Sequence, residues 1–179
     1  MNKKLKIMLI VYSAMFLISF LILGFLKGFP YVFKLYHIDG FWFITSCVIA
    51  ILVIVGSHIL MMKTTYFDFL IGLFKEFFEG YGIFTFLLLA LLSGFAEELL
   101  FRGLLQDYMG LILTSLIFGI LHIGPSKNFL PWTGFAIIMG FVLGITRELS
   151  VSILVPSIIH VFVNFVNMLA LKYWVKKEL

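Results

Sequence analysis

Charge is scarce in this chain. Only 12% of its 179 residues are charged, against about 25% in a soluble domain. A chain that is 63% hydrophobic cannot cover its surface with polar groups in water, so its natural solvent is lipid. Cysteine is nearly absent too. Cys47 stands alone inside an apolar run, which excludes a disulfide framework and a metal–thiolate cluster. The formal net charge of +4 does not suggest nucleic acid, because the lysines sit at the ends of apolar segments, where positive charge orients helices against a membrane. There is no internal repeat, no low-complexity tract and no linker long enough to divide domains. These absences leave one helical membrane bundle.

What is present is a series of apolar runs. Six can be marked out, approximately Ile7–Leu26, Phe41–Met62, Tyr81–Leu105, Leu111–Ile123, Phe129–Ile145 and Val151–Leu171. A spanning helix needs about 20 residues, so the fourth is short and the fifth marginal, and a tilted or partial crossing is expected there. The joins are marked by Lys27-Gly-Phe-Pro30, Asp39-Gly40, Gly124-Pro125 with Lys127, and Arg147-Glu148. The opening Met1-Asn-Lys-Lys-Leu-Lys and the run behind it read as a retained first helix: the run is long enough to span, and no small-x-small cleavage site follows. Residues 64–80 differ in kind. Asp68, Gly72, Lys75, Glu76 and Glu79 recur at helical spacing opposite Phe67, Leu70, Ile71, Phe74, Phe77 and Phe78. That pattern predicts a helix lying in the membrane interface, with an ordinary loop helix as the alternative. The expected organisation is thus all-α. Residues 1–80 hold the N-terminal helices and the amphipathic helix, and residues 81–171 form the core of the same bundle.

Three polar stripes interrupt the apolar segments. Segment three ends Ser93-Gly-Phe-Ala-Glu97-Glu98-Leu-Leu-Phe-Arg102-Gly. Unpaired in lipid, its three ionisable residues would cost on the order of 8–10 kcal/mol. Glu98 and Arg102 are i, i+4 neighbours in the favourable order, whereas Glu97 lies about 140° around the helix from Arg102. Arg102 can therefore neutralise Glu98, which leaves Glu97 over. A carboxylate without its own cation in a dry site suits a general base, although a structural salt bridge with Glu97 at the helix end is the bland alternative. In segment four Ser115, Phe118 and His122 share one face, and His122 alone reads more readily as a helix C-terminal cap than as a catalyst. Segment six carries Ser157, His160, Asn164 and Asn167 in one stripe, which either joins helices by hydrogen bonds or lines a site. Depth favours a site. Glu97 is about 15 Å of helix from the turn near Asp107, His122 about 18 Å back from it, and His160 about 15 Å below Ser150.

At this point the residues resemble a known family. Glu97-Glu98-x-x-x-Arg102, Phe118-x-x-x-His122 and His160-x-x-x-Asn164 resemble, in order and spacing, the three motifs of the CAAX protease and bacteriocin-processing family of intramembrane glutamic peptidases. The resemblance covers roughly Tyr81 to Leu171, and the first 80 residues carry no matching motif. It implies that Glu97 and His122 activate a water that attacks a peptide carbonyl. It further implies that His160 and Asn164 hold the oxyanion, that Glu98 and Arg102 form the supporting ion pair, and that no cofactor is needed. The implied partners are a peptide or protein substrate and the lipid bilayer, not nucleic acid. The implied location is the cytoplasmic membrane of a bacterium. The one departure is size, which bears on substrate access.

Three other readings stand beside it. In a zinc peptidase Glu, two His and Asn would be ligands around one open site, but there is no His-Glu-x-x-His pair and Asn is a poor zinc ligand. A non-catalytic membrane immunity or binding protein could keep the same fold. A small transporter would use Glu97 as a proton relay. Tyr12, His37, Cys47 and His58 stand outside the motifs and receive no role. The positive-inside rule places Lys3, Lys4, Lys6, Lys63, Lys75, Lys127, Lys172, Lys176 and Lys177 on the cytoplasmic side and Lys27, Lys34 and Arg147 opposite. On that count the active-site end is expected nearer the outer leaflet.

Overall fold

Each of the six apolar segments forms helix in the computed structural model of the chain, which describes residues 3–65 and 67–173. Lys176 and Lys177, counted in the orientation argument, lie outside the described residues. The order is α1 (Lys3–Lys27), α2 (Phe29–Lys34), α3 (Gly40–Lys63), α4 (Asp68–Phe77), α5 (Ile83–Glu98), a π-helical turn (Leu99–Leu105), α6 (Gln106–Ile120), a 3-10 turn (Lys127–Phe129), α7 (Leu130–Ser150) and α8 (Leu154–Tyr173). Local chemistry marks the starts. Asp39 accepts a hydrogen bond from the Trp42 N–H at 2.8 Å and caps α3, satisfying one of the free donors of its first turn. The join at Lys27-Gly-Phe-Pro30 is tighter than the sequence suggests: Pro30 sits in the first turn of α2, where its missing N–H costs nothing.

Among the described residues, five helical runs are long and apolar enough to cross a bilayer: Lys3–Lys27, Gly40–Lys63, Ile83–Ile120, Lys127–Ser150 and Leu154–Tyr173. The 38 residues of Ile83–Ile120 would measure about 57 Å if straight, nearly twice a hydrocarbon core. They are not straight. Gly110 has φ 73° and ψ 170°, a conformation that a side chain resists. The Phe101 and Phe118 rings lie 5.0 Å apart, where a continuous helix would separate them by about 25 Å. The run is a hairpin folded at Gly110. Its second leg is about 15 Å long, so the fourth segment makes the partial crossing that its length implies.

The hairpin places α6 against α7 at close range. A methyl group added at Gly140 would come within 2.8 Å of the Ser115 carbonyl oxygen, and one at Gly144 within 2.4 Å of Leu111. Small residues four apart let the two backbones approach, as in membrane helix pairs generally. The core between the helices is apolar, with Phe101, Phe118, Ala136, Met139, Leu143, Val155, Ile159 and Val163 buried together. The outer faces of α1 and α3 are apolar and exposed, as with Phe25 and Ile44, which suits contact with lipid.

The bundle has two unlike ends. At one, Leu5 and Met8 of α1 pack with Phe74, Phe78, Tyr81 and with Met168 and Leu169 of α8. The first and last described helices therefore start and finish together. At the other, Leu23, Leu35, Leu99, Leu104 and Ile153 close the core beneath the hairpin tip. The amphipathic pattern of residues 64–80 produces α4. Its Leu70 and Ile71 are buried, and Asp68, Gly72, Lys75, Glu76 and Glu79 are exposed.

Candidate active site

Glu97 and Glu98 close α5, one turn below the π-helical turn that holds Arg102. A π turn carries an extra residue per turn and recurs at functional sites. Adjacent in sequence, the two acids have different surroundings. Glu98 and Arg102 are fully buried, with Arg102 Nε 3.3 Å from Glu98 Oε2. Arg102 Nη2 donates to the Gly140 carbonyl at 3.0 Å, and the guanidinium lies 4.6 Å from the centre of the Phe118 ring. The i, i+4 pairing read from the sequence is present.

One expectation needs correction. Glu98 was expected to turn away from the histidines and meet Arg102 alone. Instead its Oε1 also accepts a hydrogen bond from His160 Nδ1 at 2.8 Å. The reason is that α8 packs directly on α5, so a carboxylate with two oxygens reaches a cation with one and an imidazole with the other. That bond leaves His160 Nε2 facing Glu97, 3.9 Å from Glu97 Oε2, beyond a direct hydrogen bond. Glu97 Oε2 is buried and has no hydrogen-bond partner.

The remaining motif residues converge on the same space. His122 Nδ1 donates to the Phe118 carbonyl at 2.7 Å. Because a carbonyl can only accept, the Nδ1 atom carries the proton, and a neutral ring then has its lone pair on Nε2. Asn164 Nδ2 donates to Ser93 Oγ at 3.1 Å. Glu97, His122, His160 and Asn164 all line one cavity of about 310 Å³, within the usual range for a ligand site. So the chain brings together the side chains that the spacing singled out, from α5, α8 and the end of the α6 leg. Ser157 lies off this wall, bonded to the Ile153 carbonyl at 2.9 Å. Asn167 lies on it and faces Ser57 at 3.5 Å.

The rest of the cavity wall was not legible from the motifs. Phe74, Phe77 and Phe78 close it from the α4 region, Trp132 and Phe135 from α7, and Met8 and Tyr12 from α1. Phe74, Phe77 and Phe78 were marked only as the apolar face of an amphipathic helix, and Met8, Tyr12, Trp132 and Phe135 carried no site signal. Ser93, one helical turn before Glu97, was equally unmarked. The lining reaches Met168 and Leu171, so the cavity extends toward the end where α1 begins and α8 finishes. The cavity therefore runs away from the hairpin end. The hairpin end is filled by packed side chains and ion pairs. Among the described residues, no three His, Cys, Asp or Glu side chains converge in a metal-holding arrangement.

Residues 79–166 match the family model of the type II CAAX prenyl endopeptidases, Rce1-like. Over these residues, just under half of its length, the chain is similar to the Rce1-like family. The family is one of CAAX-type intramembrane proteases, in keeping with a multi-pass helical membrane protein. The Rce1-like segment contains Glu97, Glu98, Arg102, His122, His160 and Asn164, whereas Tyr12 and α1 to α4 lie outside it. The uncharacterized protein YpbD of Bacillus subtilis (strain 168) is 36% identical over 97 residues, which is 53% of this chain and 50% of that protein. The chain thus spans about half the length of the curated relative it matches. No solved structure matches it.

Proposed function

We propose that this protein is an intramembrane peptidase that cleaves a peptide bond beside an apolar, lipid-like substrate group. Glu97 and His122 activate water, and His160 and Asn164 stabilise the oxyanion. The observation that carries this reading is a shared pattern of commitment. His122, His160 and Asn164 each spend one polar atom on the protein, on the Phe118 carbonyl, Glu98 and Ser93 respectively. Each keeps one for the cavity, next to a Glu97 oxygen without a partner. Pre-paid orientation of this kind is what a dry catalytic site requires.

In this scheme a water held between Glu97 and His122 Nε2 loses a proton to Glu97 as its oxygen bonds the substrate carbonyl carbon. The carbonyl oxygen takes up the negative charge and accepts hydrogen bonds from the free Asn164 N–H and from the Nε2–H of His160, which carries both ring protons between Glu98 and Glu97. Collapse breaks the C–N bond, and the proton held by Glu97 passes to the leaving amine. Glu98 and Arg102 hold His160 in place and touch no substrate. The aromatic and methionine wall of α1, α4 and α7 supplies a surface for an apolar group, in line with the prenyl endopeptidase description of the family. The cavity extends toward the end that carries Lys3, Lys4, Lys63, Lys75 and Lys172, so under the positive-inside rule it opens to the cytoplasm.

The test is cleavage in detergent of a fluorogenic peptide ending in a farnesylated CAAX sequence. Wild type is expected to cleave it, and Glu97→Gln to lose at least the 10²–10⁴-fold that a general base contributes. Equal cleavage by both proteins would overturn the reading.

A further inference from the structure

α1 carries none of the family motifs and lies outside the matched segment, yet one of its side chains reaches Glu97. Met8, Tyr12, Ser19 and Leu23 recur along one face of α1. Ser19 and Leu23 are buried, and Met8 and Tyr12 line the cavity. α1 packs along α5, which brings the half-buried Tyr12 alongside the carboxylate. The Tyr12 hydroxyl stands beside the Glu97 carboxylate on the same cavity wall. The nearest imidazole nitrogen, His160 Nε2, stands 3.9 Å away.

We infer that Tyr12 is a positioning residue for the reaction: its hydroxyl donates to the Glu97 carboxylate and fixes the rotamer from which Glu97 addresses the water. This inference rests on the proposed role of Glu97 as the base. Glu97 differs from its neighbours in lacking a fixed partner within the matched segment. Glu98 is held by Arg102 and His160, His122 by its own helix and Asn164 by Ser93. A carboxylate on a tetrahedral side chain has several rotamers, and a base must sit within about 2.6–3.2 Å of its proton donor. A donor from a second helix removes that freedom while leaving Oε2 without a partner. The N-terminal helix is thereby part of the active site as well as a membrane anchor.

The experiment compares the full-length wild type with Tyr12→Phe, which removes the hydroxyl and keeps the ring. In the farnesylated-peptide assay kcat is expected to fall about ten- to a hundred-fold, the range for losing one hydrogen bond to a charged group, with KM and thermal stability unchanged. Unchanged kcat, or a fall in kcat matched by loss of folding, would overturn the positioning role. A second measurement does not depend on turnover. With 13C-carboxylate-labelled glutamate, the infrared difference between wild type and Tyr12→Phe should show a shifted carboxylate band. That shift should vanish when the same pair is compared in a Glu97→Gln background. No band, or a band that persists in that background, means that Tyr12 does not bond Glu97. If wild type fails to cleave while the band is present, the peptidase reading and the positioning role fall together, and the hydrogen bond alone stands.

Discussion

The two ends of this bundle treat charge in opposite ways. At the hairpin end, Asp107 is held 3.3 Å from both Lys27 and Arg147, and Tyr31 donates to it at 3.3 Å. Gln106 reaches the Gly144 carbonyl and Glu148 at 3.0 and 3.2 Å. These polar contacts join residues of different helices; Gln106 Oε1 and Arg147 Nε are buried here without a partner, but neither residue lines the cavity. Toward the terminal end, Glu97 borders a cavity walled by aromatics, with one oxygen unpartnered. The lesson concerns where a membrane protein leaves polar groups uncommitted. Satisfied pairs lower the cost of placing charge in lipid, whereas an unsatisfied group beside a cavity is available to a substrate or a water.

The sharpest way to break that comparison is to neutralise each kind of acid in turn. Glu97→Gln should abolish cleavage while thermal unfolding in detergent stays near wild type, because the nearest imidazole, His160, lies beyond hydrogen-bond distance at 3.9 Å; a matching collapse of folding would erase the contrast. Arg102→Ala should do the reverse at first. It strands the fully buried Glu98, a change worth about 3–5 kcal/mol, and should appear as a large fall in the unfolding midpoint. If this variant unfolds at the wild-type temperature, Glu98 is not held as an ion pair.

A smaller effect is expected from Asn164→Ala, about 10²–10³-fold in kcat, the usual result of deleting one oxyanion donor. Loss of binding with normal kcat would instead make Asn164 a ground-state contact. The smallest effect belongs to the closed end. Asp107→Cys, in a Cys47→Ser background, should retain cleavage and nearly all stability, since partly exposed ion pairs contribute little. In intact cells an impermeant thiol reagent should label it, because the hairpin tip lies opposite the lysine-rich end. Protection of that thiol would reverse the orientation and put the cavity mouth outside.

Much of this could be read before any coordinates. The Glu98–Arg102 pair followed from a 100° helical period, and the common depth of Glu97, His122 and His160 followed from a 1.5 Å rise. The amphipathic α4 was visible as a period of charged residues. What escaped were contacts between helices far apart in sequence. Tyr12 is separated from Glu97 by three helices, and a single tyrosine in an apolar run has no periodic signal. The second bond of Glu98, to His160, was missed because helical geometry describes neighbours on one helix and says nothing about a facing one. The direction of the cavity was not legible for a related reason: charge counts order the ends of segments, but they do not show which end is packed full.

By itself the sequence determined that the chain is helical and membrane-embedded, where its segments begin and end, and which side chains share a stripe. Those properties follow from composition and from the fixed pitch of a helix, which are local. Tertiary structure alone decided that the chain reverses at Gly110 rather than near Asp107, that α1 brings Tyr12 alongside Glu97, and that the aromatic wall leaves its cavity toward the termini. Those outcomes depend on how close helices approach. That distance is set by which small residues face each other, such as Gly140 against Ser115, and no one-dimensional pattern contains it.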